Sequence, residues 1–169
     1  MNLYEIYLRV GSMSSVLENL VRLGARRLGV VSFPATGCCP VNRLQSNGTG
    51  DCMEEMNEYA ELFFANLLGL SRKLISEVPG LQFSIGNTYL MTLSIINNPF
   101  VFRRFQRGGK SLLWELYTKC QNRKEYLFWD QYHPTQAGAE LAALTLFTGS
   151  PPSVLPVNFS KLAQIYVYN

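Results

Sequence analysis

Between residues 12 and 27, "SMSSVLENLVRLGARR", apolar residues recur at helical spacing: Met13, Val16, Leu17, Leu20, Val21 and Leu23. Ser15 with Glu18 reads as a capping box, and Gly24 as the stop. "RRLGVVSF" (26–33) is a short apolar run without strict alternation, which suits a strand covered on both faces of a parallel sheet. "PATGCCPVNRLQSNGTG" (34–50) is turn chemistry throughout. A long helix is predicted next. Asp51 and Glu54 form its box, Met53, Met56, Ala60, Phe63, Leu67, Leu70 and Leu74 mark one face, and Pro79–Gly80 ends it. "LQFSIGN" (81–87) reads as a second strand, "TYLMTLSIINNP" (88–99) as a shorter helix and "EYLFW" (125–129) as a third strand. "PTQAGAELAALTLFTG" (134–149) is the last helix, with Pro134 in its first turn and Gly149 after its end.

The order αβαβαβα predicts an α/β fold: three α/β/α layers on a parallel sheet of about three strands. No repeat or second domain shows. The Pro-rich tail, 150–169, is expected to be mostly irregular.

At 47% hydrophobic and 16% charged, the chain can bury a core. A net charge of +3, without interleaved basic and aromatic residues, argues against nucleic acid. No apolar run is long enough to span a bilayer. "MNLYEIYLRVGS" lacks the basic and apolar regions of a signal peptide, so a chain starting at Met1 is expected to be cytoplasmic. The cysteines point the other way. Cys38 or Cys39 with Cys52 suits a disulfide closing the intervening loop, and an oxidising compartment; the spacing fits a zinc site poorly. The sequons at Asn47 and Asn158 are compatible with secretion and glycosylation. "FRRFQRGGKSLLWELYTKC" (102–120) reads as a solvated basic loop. Its Gly-Gly-Lys-Ser lacks the first glycine and the preceding strand of a phosphate loop.

"FWDQYHPTQAG" (128–138) holds His133, the only histidine, three residues after Asp130. A short turn could fold Asp130 onto Nδ1 of the imidazole, fixing its tautomer while Nε2 takes a proton. Alternatively, Asp130 accepts backbone N–H bonds at a turn and His133 packs before Pro134. One histidine offers no second nitrogen ligand, so no metal is expected.

"EYLFWDQYHPTQAGAELAALTLF" resembles the last motif of the plant GDSL esterase/lipase family, in which Asp-x-x-His-Pro precedes the final helix. "LVRLGARRLGVVSFPATGCCPVNR", "GDCMEEMNEYAELFFANLLGL", "VPGLQFSIGNTYLMTLSIINNPFVF" and "TGSPPSVLPVNFSKLA" are similar to family segments in order and spacing. Together they cover most of 14–165, apart from 103–119. The resemblance is to roughly the C-terminal half of the family. It implies one partial SGNH hydrolase-like domain over 1–169, flavodoxin-like in its sheet, and a secreted enzyme that cleaves acyl or lipid esters without a cofactor. Asp130 would orient the base and His133 would be the base.

The family's Gly-Asp-Ser nucleophile and its Gly-x-Asn-Asp oxyanion motif are both absent from the sequence. Gly11–Ser12 lacks the aspartate and a preceding strand, and Ser12 reads as a helix-start residue. No nucleophile is therefore assigned. Two functions follow: a hydrolase-family chain inactive on its own, or a non-catalytic protein that keeps a pocket for binding or interaction.

Overall fold

Helix α1 (Leu3–Arg22) leads into strand β1 (Arg27–Val31) through a glycine stop. Gly24 sits at φ +98°, and Ala25 N–H reaches back to Leu20 O at 3.0 Å, closing the helix end. The computed structural model describes residues 3–46, 50–98 and 123–164. The basic stretch, Cys120 and Asn47 fall outside them.

α1 starts well before the expected point, so Ser12, Ser15 and Glu18 lie inside it. Ser15 Oγ donates to Gly11 O, and Glu18 accepts from Ser14 Oγ; the capping box expected from Ser15 and Glu18 is not a helix start. The segment read as pure turn contains a 3₁₀ turn (Thr36–Cys38) and helix α2 (Pro40–Gln45), whose first residue is a proline that needs no N–H partner there.

Helix α3 (Glu54–Glu77) crosses from β1 to β2 (Gln82–Gly86), which pair in parallel with Leu28 opposite Phe83 and Val30 opposite Ile85. The predicted α3 face packs as expected through Ala60, Phe63, Leu67 and Leu74. With Leu17, Leu28, Val30, Phe83 and Ile85, the last three of these α3 residues form the main core. The expected box at Asp51 and Glu54 is absent. The cap residue is Met53, whose N–H bonds Gly37 O, and Glu54 and Glu55 complement the helix dipole.

The expected third strand, "EYLFW", is not in the sheet. Tyr126, Leu127 and Phe128 are buried in succession rather than alternately. Their backbone bonds instead to Thr135: its N–H donates to Leu127 O and its Oγ1 to Tyr126 O. The free edge of β2 is taken by β3 (Val154–Leu155), which runs antiparallel with Leu155 opposite Ile85. Among the described residues the sheet is thus mixed and three-stranded, in the order β1-β2-β3. The tail expected to be irregular supplies both β3 and helix α6 (Phe159–Gln164).

Helix α4 (Thr88–Asn97) follows β2, and α5 (Gln136–Thr148) precedes β3. α5 and α6 cover the sheet face opposite α3. A Cβ on Gly86 would strike the Leu146 side chain, and one on Gly29 would press the Phe159 ring. This α/β arrangement of layers is that of a partial SGNH or flavodoxin-like fold.

Of the candidate bridges, Cys38–Cys52 is formed, with Cα atoms 4.4 Å apart, and Cys39 is a buried free thiol. Serine at both Cys38 and Cys52 is expected to lower stability by about 3 kcal/mol, from the 14-residue separation of the pair. Denaturant unfolding of the oxidised and mutant chains measures it.

Candidate active site

A tight hairpin carries Asp130 and His133. Phe128 bridges Pro134 in antiparallel fashion, and Trp129 N–H donates to His133 O at 2.7 Å. Thr135, buried, closes the base. Besides its two bonds to Tyr126 and Leu127, its Oγ1 accepts from Gly138 N–H and caps α5. Pro134, expected in the first turn of α5, therefore precedes the cap. Thr135 escaped the sequence reading, although a threonine just before an apolar helix is a standard cap signal.

Asp130 itself makes the contacts that each of the two sequence alternatives gave it. Its Oδ1 accepts from the backbone N–H groups of Tyr132 (2.8 Å) and His133 (2.6 Å), as a turn aspartate would. Its Oδ2 lies 2.7 Å from His133 Nδ1. The His133 and Tyr132 backbone N–H groups, followed by the His133 ring, pull the Asp130 pKa down from its ordinary 3.8 to about 2. At neutral pH the carboxylate can only accept, so Nδ1 carries the hydrogen and Nε2 of a neutral ring holds a lone pair. The His133 ring is exposed and does not pack into the core, as the structural alternative would require. Among the described residues it bonds Asp130 and no serine.

The hairpin rests on a second apolar cluster of Cys39, Ile95, Leu127, Phe128 and Ala137. Val41 N–H reaches Gln131 O at 3.4 Å, linking the start of α2 to the hairpin. Burial, followed by the Asp130 charge, raises the Cys39 thiol to about 11. Cys39 should accordingly resist iodoacetamide at pH 8 in the native chain and react on unfolding, as mass spectrometry of the trapped adduct would record.

Beside the hairpin opens a cavity of about 380 Å³. Its walls come from the carboxyl ends of β1 and β2 (Ser32, Thr88), from α4 and α5 (Ile95, Leu141), and from Tyr132 and Pro134 on either side of His133. Ligands of open α/β sheets bind at that edge. Ser32 Oγ, at the same edge, accepts Thr88 N–H at 3.1 Å. Among the described residues no cluster of three His, Cys, Asp or Glu side chains could hold a metal, and no helix is long and apolar enough to cross a membrane.

The Asp130–His133 geometry gains a context from comparison with known proteins. The GDSL esterase/lipase At3g53100 of Arabidopsis thaliana is 36% identical over 144 residues, 78% of this chain and 41% of that protein. GDSL esterase/lipase At1g71250 of the same plant is 30% identical over 89% of the chain and 43% of its own length. GDSL esterase/lipase LTL1 is 30% identical over 93% and 45% respectively. The chain thus spans less than half the length of these curated relatives. The family model described as GDSL-like Lipase/Acylhydrolase matches residues 11–146, which is most of the chain, and on that match and these relatives the protein belongs to the GDSL lipase/acylhydrolase family.

Proposed function

We propose that this chain carries the base half of a Ser-His-Asp hydrolase of carboxylic esters, with lipid or other acyl esters as substrates. The observation that carries the reading is the 2.7 Å contact of Asp130 Oδ2 with His133 Nδ1, which leaves Nε2 available. In the complete site a serine Oγ attacks the acyl carbon as His133 Nε2 takes its proton, and Asp130 stabilises the imidazolium. His133 then hands the proton to the departing alkoxide, leaving an acyl-serine. Water, deprotonated by the same nitrogen, releases the acid and restores the serine. The apolar cavity beside the hairpin suits the acyl chain.

The serine and the oxyanion donors come, in this reading, from polypeptide other than these 169 residues. The chain alone is then inactive, because removing the nucleophile removes covalent catalysis. An extracellular location fits the Cys38–Cys52 bridge, and a plant protein acting in lipid degradation fits the likeness to the Arabidopsis esterase/lipases. Any glycan belongs on Asn47. Asn158 Nδ2 donates to Gly149 O at 2.9 Å and its Oδ1 caps α6, so its amide is engaged in the fold. The second reading, a non-catalytic binding protein, is favoured by a cavity that forms without any such serine.

The experiment is p-nitrophenyl butyrate hydrolysis by two proteins: the chain alone, and a chimera in which the part of Arabidopsis At3g53100 preceding the matched stretch is joined to it. The reading expects turnover only in the chimera. Turnover by the chain alone that His133→Ala abolishes would overturn the missing-nucleophile part, and a folded but inert chimera would favour the binding protein.

A further inference from the structure

Across Pro134, which lines both, the apolar cavity is neighbour to a second hollow of quite different chemistry. This hollow, of about 560 Å³, is lined by Trp129, Gln136 and Glu140, with Lys124 at its side. Trp129 is 43% exposed, so part of its indole is open to a ligand. Its backbone is held in the hairpin. It adjoins Asp130 in sequence, and its N–H holds His133 O. Opposite stand Gln136 and Glu140 on the first turns of α5, with Gln136 Nε2 donating to Glu140 Oε1 at 2.9 Å.

We propose that this hollow binds a pyranose ring, as the alcohol part of the ester. The indole face is electron-rich and attracts the weakly positive C–H face of a sugar, while carboxylate, amide and ammonium groups pair with hydroxyls around its rim. An acyl chain has no use for such a rim, and burying one against Glu140 and Lys124 would leave polar groups without water. The hairpin that bears His133 therefore stands between an acyl-type cavity and a sugar-type hollow. That is the layout needed by a group that must protonate the departing sugar oxygen. The assignment to the leaving-group side rests on the reading of His133 as base. Sugar binding does not, and it is measured without turnover, so the two can fail separately.

The test is a cellobiose titration of the whole 169-residue chain, following the indole ¹H–¹⁵N signals by NMR. Comparison with Trp129→Phe separates Trp129 from Trp114. Cellobiose should shift the Trp129 indole signal. Trp129→Ala should weaken binding at least about tenfold, and Glu140→Ala about threefold, whereas Trp129→Phe keeps most of it through its remaining aromatic face. The Glu140 variant, on an exposed helix face, covers the case in which Trp129→Ala misfolds. Octanoate in a parallel titration should shift signals of Ile95 and Leu127 instead. An indole signal unmoved by cellobiose, or moved by octanoate alone, would overturn the proposal, as would full affinity in the folded Glu140→Ala and Trp129→Ala chains.

Discussion

In the At3g53100 chimera, His133→Ala is expected to lower kcat for p-nitrophenyl butyrate by about 10⁶, and Asp130→Asn by about 10⁴. The first substitution removes the proton acceptor. The second keeps the hairpin, because an amide oxygen at position 130 can still accept from Tyr132 and His133 N–H. It also turns an acceptor into a possible donor facing Nδ1, and that favours the tautomer with its hydrogen on Nε2, where it cannot act as base. Stopped assays on matched protein concentrations give both ratios. Equal, small losses in the two variants would mean that the pair shapes the loop and takes no part in proton transfer.

The Asp130 shift also fixes a pH dependence of stability. Its folded pKa, about 2, lies below the ordinary 3.8, so the folded state binds this proton more weakly than the unfolded state does. The stabilisation is complete above about pH 4 and is lost as pH falls through 2. Asp130→Asn should therefore flatten the acid side of the stability curve, seen as a smaller drop in Tm between pH 5 and pH 3.

Gly37→Ala is expected to cost the fold about 3 kcal/mol, as much as loss of the disulfide. A Cβ there would stand 2.1 Å from the backbone oxygen of Met53 and 2.8 Å from Asn57 Oδ1. Neither can retreat easily. Met53 N–H bonds Gly37 O, and Asn57, buried at 1% exposure, accepts Gly37 N–H and donates to Cys38 Sγ. The disulfide to Cys52 pins the same turn. Urea unfolding would show the shift in midpoint, and Gly69→Ala, with open space around its Cβ, is the control. A midpoint unchanged from the native chain would mean that the turn at Gly37 is not as tightly held as described.

Periodicity made β1, β2, the core face of α3 and the last helix legible. Each of these is long or apolar enough for burial to dominate. Polar partners inside an apolar face were not legible: Asn57 and Ser71 sit on the buried side of α3, and nothing in the spacing says that Asn57 would hold the turn at Gly37. "EYLFW" has strand composition, yet its backbone partners lie in Thr135 a few residues on, so local hydrogen bonding overrides propensity. Val154–Leu155 was hidden by the prolines that flank it, Pro151, Pro152 and Pro156, which all fall outside the two-residue strand. The Asp130–His133 pair was legible because three residues of separation suffice for a turn to bring them together. Which of two roles Asp130 plays was not, since its two oxygens serve both.

Asp130 is expected to hold His133 with Nδ1 protonated and Nε2 bare. Long-range ¹H–¹⁵N NMR of the single histidine tests it most directly, since no other imidazole overlaps. In the neutral form of the ring, the hydrogen should sit on Nδ1 and Nε2 should be unprotonated, with the Nδ1 proton shifted downfield by the carboxylate and restored to an ordinary position in Asp130→Ala. A neutral ring with its hydrogen on Nε2 in the native chain would contradict it.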